Sequence, residues 1–379
     1  MGERITTRRL LVGLTVTLLL GGCAGSATPT PSPTATPSAA IGTQAPIPTA
    51  TPAVGSSACV VSTLAGKPGE TGTADGVGPE ARFSGEPEYI VMDSAGAFYI
   101  SDTASHTIRK MTPDGTVTTF AGAPGASGFV DGAGAKARLN RPNGLALDAS
   151  GALYVAEEGN DAIRRITPDG TVTTLADKLG IMPAAIALDA AGNVYTGGWD
   201  GHVILKITPD GTVTPFAGKT GVEGTKGTAV PIDGTGSAAR FYALIDLKVD
   251  AQGVLYVVEW REEDASGDIY GALRKVTPDG TVTTLRTDWV TPGAPGALWI
   301  DPSGVLYATS FYDQTVMKIG PDGTATVLAG MRGEANAGYR DGPGDVARFN
   351  GPVGIVRDSS GLFYVVDLAN SVVRTMRCS

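Results

Sequence analysis

Six times between residue 59 and the C-terminus the chain repeats one plan: an apolar stretch, Asp-x-x-Gly, an apolar residue, then tyrosine. The turns open at Asp93, Asp148, Asp189, Asp250, Asp301 and Asp358, and the tyrosines that follow are Tyr99, Tyr154, Tyr195, Tyr256, Tyr307 and Tyr364. A second string, Thr-Pro-Asp-Gly-Thr-Val-Thr, starts at Thr112, Thr167, Thr208 and Thr277, with Gly320-Pro321-Asp322-Gly323-Thr324 as a fifth version. Both are tight-turn chemistry, because aspartate accepts nearby backbone N–H groups, proline presets φ and glycine takes a positive φ. Between the turns lie short strand-like runs, in the first unit about Tyr89–Met92, Ala97–Ser101, Thr107–Met111 and Thr116–Ala121. No helical periodicity of useful length competes after Ser57. Units of this size with four antiparallel strands stack radially, so the expected fold is all-β: a six-bladed β-propeller of four-stranded blades. The repeat uses six of the chain's eleven tyrosines, which read as filler between blades.

The sixth unit ends at Val372-Val373-Arg374-Thr375-Met376-Arg377-Cys378-Ser379, one strand short. The missing strand stands at the other end, where Val60-Val61-Ser62-Thr63-Leu64-Ala65-Gly66 matches Thr116-Val117-Thr118-Thr119-Phe120-Ala121-Gly122. The last blade is therefore expected to be closed by the N-terminal strand, which removes an open edge. The same alignment puts Cys378 on the proline of the Pro-Asp-Gly turn and Cys59 on its glycine, two positions apart and within disulfide reach. A Cys59–Cys378 bridge follows, suited to an oxidising compartment.

The units are of two kinds. The first, second, fourth and sixth are preceded by Asp-Gly-x-Gly-x-x-Ala-Arg-Phe/Leu, opening at Asp75, Asp131, Asp233 and Asp341 and closing on Arg82, Arg138, Arg240 and Arg348 plus one residue. The same units carry an acid at the end of the second strand and an arginine in the third: Asp102 with Arg109, Glu157 with Arg164, Glu259 with Arg274, and Asp367 with Arg374. The third unit has Gly198 and Leu205 instead, and the fifth has Ser310 and Met317. Chain parity places loop and acid on one rim of a meander. The expectation is a structural network in which each acid is held by the strand and loop arginines, fastening the loop over its blade. Partly buried pairs of this kind are costly to break singly.

Loops on a rigid scaffold commonly carry function, which makes that rim the expected binding face. The units without the network present Trp199, Asp200 and His202 in the third and Phe311, Tyr312, Asp313 and Gln314 in the fifth. The fourth carries an insertion from Trp260 and Arg261 through Asp268 and Tyr270. Aromatic side chains beside acids suit protein or sugar contacts, although loop packing uses the same residues. At the channel mouth the innermost strands contribute Glu88, Asn143, Asp246 and Lys248, whose oxygens suit a hard cation such as Ca2+.

Ahead of the repeats, Arg4, Arg8 and Arg9 precede an apolar run, Leu10 to Leu20, too short to span a bilayer comfortably, and then Leu20-Gly21-Gly22-Cys23. This resembles the bacterial lipobox, which implies a signal peptide over 1–22, lipidation of Cys23 and export. Residues 24–57 are rich in Pro, Thr, Ser and Ala and cannot bury a core, so 23–57 is expected to be a lipidated, disordered linker and 58–379 the propeller. Losing three arginines and one glutamate with the leader takes the net charge from −9 to −11. Such a balance disfavours nucleic acid and anionic lipid as partners, leaving the lipid anchor as the membrane contact.

The segment RPNGLALDASGALYVAE (141–157), followed by AIRRI (162–166), resembles the NHL repeat, and the resemblance runs through residues 59–379. It implies the propeller and leaves the function open, since NHL propellers bind proteins or nucleic acids and a few are enzymes. Similar propeller lactonases of the gluconolactonase type hold a metal at the channel mouth with Glu, Asn and Asp, the residue types of Glu88, Asn143 and Asp246. Amidating-lyase and streptogramin-lyase propellers rely on histidine clusters, whereas this chain has His106 and His202 in different units. The expectation is a monomeric, envelope-anchored module, without a cofactor, that recognises or scaffolds an envelope or extracellular protein or glycan. A metal-dependent lactonase or lyase-like enzyme is the alternative.

Overall fold

The computed structural model describes residues 59–223, 231–261, 270–290, 295–320 and 323–379, with the backbone alone at 261, 270 and 287–290. The signal and linker segments with Cys23, the insertion at 262–269 and the side chains of Arg261 and Tyr270 lie outside the described residues. Among the described residues, no helix is long and apolar enough to cross a membrane.

Six antiparallel meanders form an all-β propeller. Blade 1 is Pro87–Met92, Phe98–Asp102, Thr107–Met111 and Thr116–Ala121; blade 2 is Pro142–Leu147, Leu153–Glu157, Ala162–Ile166 and Thr171–Ala176. Blade 3 is Pro183–Leu188, Val194–Gly198, Val203–Ile207 and Val213–Gly218; blade 4 is Ala243–Val249, Leu255–Arg261, Tyr270–Val276 and Thr281–Val290. Blade 5 is Pro295–Ile300, Leu306–Ser310, Thr315–Ile319 and Ala325–Gly330. Blade 6 takes Pro352–Arg357, Leu362–Asp367 and Val372–Cys378 from the C-terminus and Cys59–Gly66 from the other end of the chain.

The turn chemistry acts as the sequence dictates. Asp93 Oδ1 accepts the N–H groups of Ala95 and Ala97, each at 2.9 Å, while Gly96 takes a φ of 84°. The other five Asp-x-x-Gly turns repeat these bonds. Among the described residues the core includes six inter-blade clusters, one between each adjacent pair, including blade 6 with blade 1. Burial of these apolar faces is the main force holding the ring together. Near the axis the blades approach closely: a Cβ at Gly144 would collide with the carbonyl oxygen of Ala184 in the next blade.

Ring closure is covalent as well as hydrogen-bonded. Cys59 and Cys378 are direct cross-strand partners with Cα atoms 3.9 Å apart, and they form a disulfide. This agrees with the alignment, because the Pro and Gly positions of the Pro-Asp-Gly turn flank its aspartate on opposite strands, where Thr112 N–H donates to Thr116 O.

Candidate recognition face

Four blades have a fifth strand that the repeat did not announce. Gly76–Val77, Gly132–Ala133, Gly234–Thr235 and Gly342–Pro343 pair with the outer strands of blades 1, 2, 4 and 6, the blades preceded by the Asp-Gly loop motif. Each of these loops is anchored by a fully buried arginine of the third strand. In blade 1, Arg109 donates to Asp102 at 3.1 Å and to the loop carboxylate of Asp75 at 2.8 Å. Arg164 joins Glu157 (2.8 Å) to Asp131 (2.7 Å), and Arg274 joins Glu259 (2.6 Å) to Asp233 (2.9 Å). Arg374 joins Asp367 (2.7 Å) to Asp341 (2.6 Å). The acids also receive the backbone N–H of the residue that ends each loop: Ser84, Asn140, Tyr242 and Asn350.

The loop arginines do something other than the expected pairing with the acid. Arg82 turns back on its own loop and donates to the carbonyls of Pro79 (2.6 Å) and Ala81 (2.8 Å), and Arg138, Arg240 and Arg348 do the same. The loop aspartate therefore links loop to blade. A fourth partner comes from the outer strand: Thr63, Thr119, Thr174 and Thr284 donate their hydroxyls to these aspartates. Blades 3 and 5 have Pro215 and Val327 at that position. This threonine, which comes and goes with the acid, arginine and aspartate, is the sequence signal that the pairwise comparison of acid and arginine overlooked.

Two arrangements replace the clamp. In blade 3 the carbonyls of Ile181 and Met182 occupy the space a side chain at Gly198 would need, and Leu205 packs with Ile181 and Val203. That loop is held instead by Asp161 of blade 2, whose carboxylate accepts the N–H groups of Gly180, Ile181 and Met182 at 2.6–3.1 Å. In blade 5, Arg332 arrives from the following loop, lies against Met317 and pairs with Asp313 at 3.0 Å. Burial pushes the Asp313 carboxyl up, partly offset by Arg332.

The position just after Asp102 and its counterparts Glu157, Gly198, Glu259, Ser310 and Asp367 holds Thr103, Glu158, Trp199, Trp260, Phe311 and Leu368. On three successive blades, 3 to 5, it is aromatic. Trp199 meets Trp260 at a centroid distance of 6.0 Å; Trp260 meets Phe311 at 6.2 Å and Tyr312 at 5.6 Å; Phe311 meets Tyr312 at 4.9 Å. All four rings are half-buried, and Asp200 beside Trp199 is exposed. Trp260 is oriented by its indole N–H, which donates to Pro295 O at 2.6 Å. Thr103 makes the corresponding bond to Pro142 O in blade 2, so the tryptophan occupies a position the repeat already provides.

His202, at the next corner, takes a positive φ of 53° and is half-buried. Its counterpart His106 accepts Arg141 N–H at Nδ1 (3.1 Å), and burial, then the Arg141 charge, holds its pKa below the usual imidazole value.

The channel-mouth candidates separate into two levels. Glu88 and Asn143 hold equivalent positions in blades 1 and 2, whereas the blade-4 equivalent is Ile245 and Asp246 lies one residue deeper. Both Asp246 oxygens are engaged: Oδ1 by Lys248 Nζ (2.5 Å) and Leu247 N–H (2.8 Å), Oδ2 by Leu298 N–H (2.7 Å). Burial pushes this carboxyl up against the pull of Lys248. Beside it, Tyr89 reaches from blade 1 to blade 4, on the opposite side of the ring, and donates to Ile245 O. Asn143 turns to Glu158 (3.4 Å). Among the described residues, no group of three or more His, Cys, Asp and Glu is arranged to hold a metal ion.

No family model matches the chain. The chloroplastic protein SUPPRESSOR OF QUENCHING 1 of Arabidopsis thaliana is 37% identical over 117 residues, which cover 30% of this chain and 11% of that protein. An auxiliary nutrient binding protein from Bacteroides thetaiotaomicron superposes with a TM-score of 0.62 at 16% identity, over 84% of this chain and 76% of that one. A gluconolactonase from Xanthomonas campestris superposes with a TM-score of 0.53 at 15% identity, over 78% and 86% of the two chains. At such identities the structural likeness is one of fold.

The clamp of blade 6 carries a pH signature. Burial pushes Asp367 from its ordinary 3.8 up to about 6, with Arg374 only partly offsetting it. The folded state thus holds this proton more tightly than the unfolded chain. The resulting stability is present in full below the ordinary value and is lost as pH rises through about 6. For Asp367→Asn, stability relative to the parent should shift in the variant's favour by on the order of 3 kcal/mol between acid and neutral pH. Urea unfolding across that range measures it, and a difference independent of pH would contradict the assignment.

Proposed function

We propose that this chain is an exported, lipid-anchored propeller of NHL-type repeats that recognises an envelope or extracellular partner through the rim of blades 3 to 5. The observation that carries the reading is the aromatic surface of Trp199, Trp260, Phe311 and Tyr312, assembled from three blades at equivalent positions. Half-exposed tryptophan and tyrosine on a rigid frame are what recognition surfaces use, because such rings bury a large area at little cost in conformational entropy. The surrounding architecture supports it: the clamps hold the loops of blades 1, 2, 4 and 6 down, and blades 3 and 5 on either side of Trp260 lack them. The disulfide accords with a domain that works outside the reducing cytoplasm. A photo-crosslinking side chain introduced at position 311 of the full chain tests the reading in cells, with a discrete adduct as the expected result.

A further inference from the structure

We infer that the outer edge of blade 3 binds an extended segment of a partner protein by strand addition, in the Gly-x-Gly register that the other blades use on themselves. The site is a sheet edge on the flank of the propeller, separate from the rim aromatics, and the inference goes beyond the recognition reading above. In blades 1, 2, 4 and 6 the outer strand is paired with the dipeptides Gly76–Val77, Gly132–Ala133, Gly234–Thr235 and Gly342–Pro343. The register is the same each time, with the first glycine opposite a valine: Val117, Val172, Val282 or Val61. Two residues on, a second glycine donates its N–H to the outer strand: Gly78 to Gly115 O, Gly134 to Gly170 O and Gly236 to Gly280 O, each at 2.9 Å. The alanine and the phenylalanine or leucine that end the loop motif cover the valine, as Ala81 and Phe83 do in the cluster of Val117. All four valines are at most 1% exposed.

Blade 3 has the strand without the cover. Among the described residues, Val213–Gly218 pairs with Val203–Ile207 on one side and with no strand on the other, and nothing donates to Gly211 O. Val213, the counterpart of Val117, is 39% exposed. Blade 5 also lacks the fifth strand, but there Arg286 donates to Gly323 O and the counterpart residue, Ala325, is 5% exposed. The edge of blade 3 also specifies its guest. In the clamped blades the threonine two positions after the valine donates its N–H to the loop aspartate: Thr174 to Asp131 (3.2 Å), Thr284 to Asp233 (3.1 Å) and Thr63 to Asp341 (3.1 Å). Pro215 has neither that N–H nor a hydroxyl, and its cross-strand neighbour is Leu205 in place of an arginine. An aspartate there would find no counter-charge, so the guest carries an apolar residue just before its Gly-x-Gly. Open edges are templates for an added strand, and a proline stops the pairing from running on. What remains open in blade 3 is the short stretch that the loops fill in its sister blades.

Titration calorimetry of the full chain with a synthetic peptide of residues 72–84 carrying Asp75→Leu tests this. The expected result is binding about tenfold or more tighter than that of the same peptide with Asp75 retained, because the acid would be desolvated without a partner. Adding Gly76→Val to the peptide should abolish binding, since glycine faces the valine in all four sister blades. In the full chain, Val213→Lys should abolish it at the parent's Tm, and Trp260→Leu should leave it unchanged. Absence of binding at millimolar peptide overturns the inference, as does equal affinity for the two peptides. Binding that survives Val213→Lys and is lost in Trp260→Leu also overturns it, by moving the peptide to the rim. A dimer of the full chain that Val213→Lys dissociates would assign the edge to a second copy and overturn it as well. A crosslinked partner at position 311 together with any of these results would leave the recognition reading standing and remove this one.

Discussion

Arg374→Met is expected to destabilise the domain by about 3–5 kcal/mol, the typical result of removing one partner from a buried ion pair. The side chain is fully buried and serves several acceptors at once. It donates to Asp367 (2.7 Å), Asp341 (2.6 Å) and the carbonyls of Arg348 (3.1 Å) and Arg340 (2.8 Å). Its guanidinium also lies 4.8 Å from the ring of Tyr339 and 5.1 Å from that of Phe349. Methionine replaces the packing and leaves Asp367 without its counter-charge inside the protein. Blade 5 shows that methionine can occupy this position, but there the second strand ends in Ser310 and Arg332 is supplied from the next loop. Replacing acid and arginine together, as Asp367→Ser with Arg374→Met, is therefore expected to cost less than Arg374→Met alone. Urea unfolding decides: a single variant within about 1 kcal/mol of the parent would show that the buried charges are not what hold the loop.

The second large effect concerns ring closure. With Cys59→Ser and Cys378→Ser, the strand Cys59–Gly66 stays in blade 6 only by hydrogen bonds and packing. The bridge closes a sequence separation of 319 residues, for which chain entropy sets an upper limit of about 5 kcal/mol. The double variant should unfold at lower urea, and amide exchange should quicken first along Cys59–Gly66 and its partner Val372–Cys378. The same displacement should appear in the parent on reduction. Unchanged stability and exchange in both would show that strand pairing alone closes the ring.

Much of this was legible in the sequence because the repeat states each rule independently in four to six units. The turns, the borrowed strand and the disulfide follow from aligning the units. The clamp was legible only in part. The presence of acid and arginine together pointed to four buried pairs, but the roles of Arg82 and Asp75 depend on loop geometry: Arg82 is adjacent to the carbonyls it binds, whereas Asp75 must reach Arg109 across the blade. The two-residue outer strands were illegible because pairs such as Gly76–Val77 have no periodicity to detect. At the channel mouth, composition alone did not set the depth of each residue. Glu88, Asn143 and Asp246 are acceptable ligand types, but a one-residue offset puts Asp246 at a different depth, where Lys248 and two backbone N–H groups occupy it. The rim aromatics were visible as residue types, while their contact across three blades required the fold.

The central claim is that recognition is confined to one sector of the loop face. It is tested most directly by placing a photo-crosslinking side chain, one at a time, at five of the six equivalent positions of the full chain in its native envelope. Adducts are predicted at 199, 260 and 311, and not at 103 or 368, which occupy the same position in blades 1 and 6. Adducts of equal yield at all five, or at 103 and 368 alone, would contradict the account.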